Sequence, residues 1–157
     1  MTAARFPTLS ARSLGREPFD LPADFEARRN VAVVAFRREQ QRDVDTWMPL
    51  LLELEAADRG LRAYEIPTIS RSWSPVRRFI DGGMTAGIPD RAARERTLTT
   101  YTNVGAVLAA LGLRDTSQIA TVLTDRGGTI AWMSTGPCTP QAARGLCAAL
   151  AAQAPAA

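Results

Sequence analysis

The chain contains no histidine and no lysine; all 19 of its cationic residues are arginine. Without imidazole there is no Ser-His or Cys-His pair, no paired-histidine zinc helix and no imidazole proton shuttle. Without lysine there is no Schiff base and no phosphate-loop lysine. Cysteine is scarce as well: Cys138 and Cys147 are too few for a disulfide scaffold and have no metal-ligand spacing. No apolar run approaches the ~20 residues that cross a bilayer. The opening "MTAARFPTLSARSLGRE" lacks the apolar stretch of roughly 7–15 residues found in a secretory signal, so the expected location is cytoplasmic. Net charge is only +3, with arginines scattered among acids, whereas nucleic-acid binding asks for a dense basic face. No nucleic-acid partner and no cofactor is expected.

What is present suits one globular domain spanning residues 1–157, with 46% apolar and 22% charged residues. "FPTLSARSLGREPFDLP" reads as two short strands around a turn at Leu14–Gly15. "NVAVVAF" is a continuous Val-rich run, the mark of a strand buried on both faces. Between Asp43 and Asp58 the period changes: Val44, Trp47, Met48, Leu51 and Leu54 recur every three or four residues and make one helical stripe, which Gly60 ends. "LRAYEI" then supplies a second strand, parallel to the first if the crossover is right-handed. After Pro67 a less regular stretch carries a short helix near Pro75–Asp81. "TLTTYT" is a β-branched strand, and "NVGAVLAALGL" is a helix stopped by Gly112. "QIATVLTDRGGTIAWMSTG" is a hairpin turning at Asp125–Gly128. Thr139 and Pro140 suit the cap and first position of a last helix.

The central strand Val31–Phe36 should therefore lie between Leu61–Ile66, parallel, and Gln118–Thr124, antiparallel. This order resembles the thioredoxin fold. "FPTLSARSLGREPFDLPADFEARRNVAVVAF", "RTLTTYTNVGAVLAALGL" and "IATVLTDRGGTI" resemble the peroxiredoxin branch, the alkyl hydroperoxide reductase and thiol-specific antioxidant families. "AFRREQQRDVDTW", "YEIPTI", "RRFIDGGM" and "LTDRGGTIAWMSTG" are similar to the mitochondrial ATP synthase assembly factors and their bacterial thioredoxin-like relatives, which lack the redox motif. The resemblance implies an α/β fold with a mixed sheet of about five strands and an N-terminal β-hairpin.

The resemblance also places the two redox cysteines at Gln41 and Val44, and neither is a thiol. Where thioredoxins carry a proline before the third core strand, this chain has Thr116 and Ser117. The turn after Phe36 instead offers Arg37, Arg38 and Gln41, and the parallel pairing brings Glu65 to the same edge. An ion pair between Glu65 and Arg37 or Arg38 is expected there. One reading makes it structural; the other makes it an arginine pocket for a small carboxylate or phosphate. Arg71, Arg77, Arg78 and Trp73 are further candidates for this edge. Cys138 precedes a helix start, which can depress a thiol pKa, but it has no basic neighbour in sequence. It reads as an unreactive loop residue, and Cys147 as core. Two functions compete: a non-catalytic module that binds or assembles a protein partner, and a thiol peroxidase or reductase working through Cys138.

Overall fold

The computed structural model describes residues 4–70 and 95–153. Seven strands form one mixed sheet in the order β2-β1-β5-β4-β3-β6-β7. They are β1 (Leu9–Ser13), β2 (Pro18–Leu21), β3 (Arg29–Ala35), β4 (Leu61–Ser70), β5 (Leu98–Thr102), β6 (Ala120–Asp125) and β7 (Ile130–Thr135). Three α-helices accompany them among the described residues: α1 (Gln41–Ala57), α2 (Val104–Leu111) and α3 (Pro140–Ala152).

The Val-rich run is the centre of the sheet. β3 pairs in parallel with β4 (Val33 opposite Glu65) and antiparallel with β6 (Val33 opposite Thr121). Val31, Val33 and Val34 are wholly buried, and a valine taken fully out of water contributes about 1.5 kcal/mol or more. Alternation along β3 divides these side chains between two cores. Val31 and Val33 meet Val44, Trp47 and Leu51 of α1 and Leu146 and Leu150 of α3. Ala32 and Val34 meet Val107 and Leu111 of α2 together with Leu9, Leu21 and Phe25 of the N-terminal segment.

Local signals set the helix ends. Asn103 caps α2 by accepting the Ala106 N–H at 3.2 Å, and Gly112 closes it at φ 71°. Thr139 caps α3 by accepting the Ala142 N–H at 3.1 Å, with Pro140 in the first turn.

The structure departs from the sequence reading at three points. The sheet has seven strands rather than about five, because the N-terminal hairpin joins it: Ala11 of β1 lies opposite Thr100 of β5. The N-terminal hairpin does turn at Leu14–Gly15, closed by the Arg16 N–H on the Ser13 carbonyl at 2.8 Å, with Arg16 left-handed at φ 72°. β4 does not stop at Pro67. The proline sits opposite Ala35, the last residue of β3, and falls in the gap of the β4–β5 pairing between the Glu65–Thr97 bridge and the Thr68–Ser70 ladder. Cys147 is exposed, not core; Leu146 and Leu150 are the buried residues of α3. The helix expected near Pro75–Asp81 lies outside the described residues.

Candidate functional site

The turn between β3 and α1 is built on Gln40. This side chain is buried; its Oε1 accepts the N–H groups of Phe36 (2.8 Å) and Arg37 (3.1 Å), and its Nε2 donates to the Thr116 carbonyl (2.6 Å). Arg37 is extended, at φ −136° and ψ 146°, and heads a single 3₁₀ turn, Arg38–Gln40. Its Nε donates to Thr116 Oγ1 at 3.0 Å. Two side chains of the turn thus grip the loop before β6, the segment where a redox fold of this kind would carry its proline.

The start of α1 is fastened on its other flank too. Trp47, fully buried, donates through Nε1 to the Gly136 carbonyl at 3.0 Å, and its ring meets Trp132 edge-on at 6.1 Å. Thr46 Oγ1 accepts the Cys138 N–H at 2.9 Å while donating to the Asp43 carbonyl at 2.6 Å. Trp47 and Trp132 are packing anchors.

The expected ion pair is not made. Glu65 forms no salt bridge with Arg37 or Arg38. Arg37 is engaged with Thr116, and Arg38 is exposed. Glu65 points from the α1 face of β4, the face that also carries Leu61 and Ala63, toward the first turns of that helix. Burial pushes its carboxyl above the ordinary range; the Gln41 amide beside it opposes the shift and the nearby Asp45 charge adds to it. Gln41 Nε2 donates to Asp45 Oδ1 at 3.0 Å. So Gln41 and Glu65 do share one place, but the arginines of the turn do not belong to it. The physical reason is direction: Glu65 faces beneath α1, whereas the turn that carries Arg37 is drawn sideways to Thr116.

The well-built ion pair of this face went unforeseen. Arg96, just before β5, binds Glu55 through two contacts of 2.9 Å and the Ala63 carbonyl at 3.1 Å, while Glu55 accepts the Ala63 N–H at 2.8 Å. The side chains are 14% and 16% exposed. Burial alone would raise the Glu55 carboxyl, but Arg96 and the Ala63 N–H outweigh it and hold the group below its usual range. The pair stands in for a strand. Beside Ala63, β4 has no β5 neighbour, since their pairing begins at Glu65 opposite Thr97, and the two side chains satisfy the backbone groups that β5 does not reach. Its only sequence signals were an acid at the end of a helix and an arginine before a strand.

Cys138 is half-buried and packed against the α1–α3 core. Burial pushes its thiol up, and the neighbouring Cys147 adds to the shift. Two clefts open at the far end of the sheet, at the starts of β3, β4 and β5. One of about 260 Å³ includes Glu17, Phe19, Arg62 and Tyr64 in its lining, and one of about 400 Å³ is lined by Arg28, Arg29, Asp125 and Gln153. Trp73, Arg77, Arg78 and Arg71 lie outside the described residues.

Solved structures match this arrangement along nearly its whole length. A protein of Aquifex aeolicus, described as a candidate for electron transfer, superposes with a TM-score of 0.67 at 11% identity, covering 96% of both chains. The fold is thioredoxin-like. A thiol:disulfide interchange protein from a Bacteroides species matches at TM-score 0.59 and 16% identity over 85% of this chain and 81% of its own. The exposed lipoprotein thioredoxin of Streptococcus pneumoniae matches at 0.59 and 9% over 93% and 99%. Comparison with protein-family profiles and with curated proteins finds no match. On this thioredoxin-like frame Gln41 and Val44 open α1, and no helix among the described residues is long and apolar enough to cross a membrane.

Proposed function

We propose that this chain is a thioredoxin-fold module without thiol redox chemistry, a single domain that holds a protein partner at the turn after Phe36. The observation that carries the reading is the closure of that turn. A thiol mechanism needs a thiolate at the start of α1, because the thiolate is the nucleophile. Here the turn is filled by Gln40, whose three hydrogen bonds make it structural. Several of the structural neighbours are thiol:disulfide interchange proteins, and this chain has no cysteine between Arg37 and Thr46 with which to follow them. The likeness to the ATP synthase assembly factors, which lack the redox motif, supports an assembly role, and exposed Arg38 gives the turn a cation for a partner's carboxylate or phosphate. The cytoplasm is the compartment proposed for this binding.

The competing reading, a peroxiredoxin-like thiol enzyme, has one observation in its favour: Cys138 stands next to the cap of α3. Its environment works the other way, since burial disfavours the thiolate and among the described residues no guanidinium offsets it. Peroxide consumption with dithiothreitol or a thioredoxin system separates the two. Purified protein should show only background turnover, unchanged by Cys138→Ser; robust turnover lost in that variant would replace the module with the enzyme. A photo-crosslinker at Gln41 in native lysate should then give a discrete adduct that Arg38→Glu weakens.

A further inference from the structure

At the end of the sheet away from the turn after Phe36, the cleft of about 400 Å³ brings together Arg28 just before β3, Arg29 at its start, Asp125 at the end of β6 and Gln153 just after α3. Its volume falls in the range of ligand clefts, about 300–1,000 Å³. Arg29 is already engaged. It donates to the Leu150 carbonyl at 2.9 Å and pairs with Asp58, whose other oxygen accepts the Gly60 N–H at 2.8 Å. Asp125, directly opposite Arg29 on the β3–β6 ladder, is thereby left without a guanidinium.

Two opposite charges therefore stand at one cleft unpaired. Among the described residues Arg28 makes no hydrogen bond or ion pair. Its guanidinium is seated all the same, across Gly60, where a Cβ would stand 2.8 Å from Nη2 and 3.2 Å from Nε. Asp125 accepts the Thr129 N–H on Oδ1 at 2.9 Å, and its other oxygen has no partner among the described residues; nor has the Gln153 amide. The two charges lie on opposite sides of Arg29. Gly60 leads into Leu61, which pairs with Arg29 from β4, and Asp125 pairs with it from β6. Two strand spacings, about 9.5 Å, separate those backbones.

We propose that this cleft binds a short zwitterionic peptide, its carboxylate on Arg28, its ammonium on Asp125 and a peptide group on the Gln153 amide. A ligand with one charge would satisfy one seat and be repelled by the other, whereas a zwitterion satisfies both. The guanidinium fork suits a carboxylate. A free α-amino acid is too short to reach both seats. An extended chain of two or three residues spans about 7–10 Å, which matches their separation. Arg28, Asp125 and Gln153 are exposed, so each ion pair is weak and the affinity is expected in the millimolar range.

Titration of the full chain with triglycine at constant ionic strength, followed by amide chemical shifts, should move Arg28, Asp125 and Gln153 and leave Arg38 and Gln41 unmoved. The dissociation constant should be about 1–10 mM. N-acetyltriglycine lacks the ammonium and triglycine amide lacks the carboxylate; each should bind about fivefold more weakly. Asp125→Asn keeps an acceptor for the Thr129 N–H and should erase the penalty for acetylation. Arg28→Ala should erase the penalty for amidation, and so should Gly60→Ala, which displaces the Arg28 side chain. Circular dichroism checks that the variants fold. No shift at Asp125 or Gln153 up to roughly 50 mM triglycine overturns the proposal. So do equal affinities for free and capped peptides, or penalties that survive both Asp125→Asn and Arg28→Ala. Binding that appears only after removal of residues 154–157, which lie outside the described residues, overturns it too, since the full chain would then not take the peptide.

Discussion

Glu55, near the end of α1, and Glu65, on β4 beneath the start of that helix, lie on the same side of the sheet and are held in opposite ways. Glu55 has a guanidinium on two oxygen contacts and a backbone N–H, and its carboxyl is pulled down; Glu65 is half-buried beside an amide and another acid, and its carboxyl is pushed up. Arg96 is near enough to influence both carboxylates and, of the two, bonds Glu55. The difference teaches where this molecule keeps its charge. Toward the end of α1, an ion pair finishes a strand ladder. At the start of α1, the place where a thioredoxin fold does its chemistry, neutral hydrogen bonds from Gln40, Thr46 and Trp47 hold the backbone.

The largest effect should come from breaking the charged end. Glu55→Ala leaves Arg96 largely buried without its acid and the Ala63 N–H without its acceptor, at a cost of about 3 kcal/mol in chemical denaturation. A loss under about 1 kcal/mol would mean that water replaces the pair, as at an exposed salt bridge. Gln40→Ala tests the neutral end. It strands the N–H groups of Phe36 and Arg37 and the Thr116 carbonyl, and should cost about 2 kcal/mol. Amide exchange should rise at Phe36 and Arg37 while Ala63 stays protected; loosening at Ala63 would mean that the two ends are one unit.

What was legible in the sequence follows this same division. The run Val31–Val34 announced a strand buried on both faces, and its two neighbours and their directions came out as expected, because apolar periodicity and crossover handedness are local and directional rules. The stripe through Val44, Trp47 and Leu51 was legible for the same reason. The side-chain contacts were not. Glu55 and Arg96 are separated by the whole β4 strand and the stretch after it, and no spacing rule joins an acid at a helix end to an arginine before a strand. Arg37 and Glu65 were expected at one edge because β4 was read as ending at Ile66; the strand runs on to Ser70, which leaves Glu65 in its middle, opposite Val33. Gln40 stood in view, with only a capping glutamine's offset to mark it and no Ser or Thr to complete the motif.

Protonation sharpens the comparison, since the two glutamates should titrate with opposite sign. The Glu65 carboxyl is raised above its ordinary 4.5. The folded chain therefore holds that proton more tightly than the unfolded one, and stability falls as pH rises from about 4.5 through the raised value, then levels. Glu65→Gln keeps the shape and removes the charge, so it should be more stable than the native chain at neutral pH and should lack this slope. Glu55 is lowered, so its contribution is present above its ordinary value and is lost as pH falls through the lowered one. Denaturation midpoints from about pH 2 to about pH 8 in both variants would show it. A Glu65→Gln chain that is less stable at pH 7 would mean that the carboxylate is held by a cation after all.

The smallest effect belongs to the arginines of the turn, and it is the one that decides between the two sequence readings of this edge. Arg37 gives one Nε donor to an exposed threonine hydroxyl, and Arg38 is exposed. Neither neutralises Glu65, so replacing Arg38 with alanine should change stability by no more than about 0.5 kcal/mol, and Arg37→Ala by under about 1 kcal/mol. The diagnostic is coupling. If either arginine were the partner of Glu65, the double variant with Glu65→Gln would lose less than the sum of the singles. Additivity within about 0.4 kcal/mol is expected instead, with the pH slope assigned to Glu65 unchanged in both arginine variants. A slope that steepens when Arg38 is removed would restore the ion pair and make the turn a structural charge clamp, leaving no cation there to meet a partner.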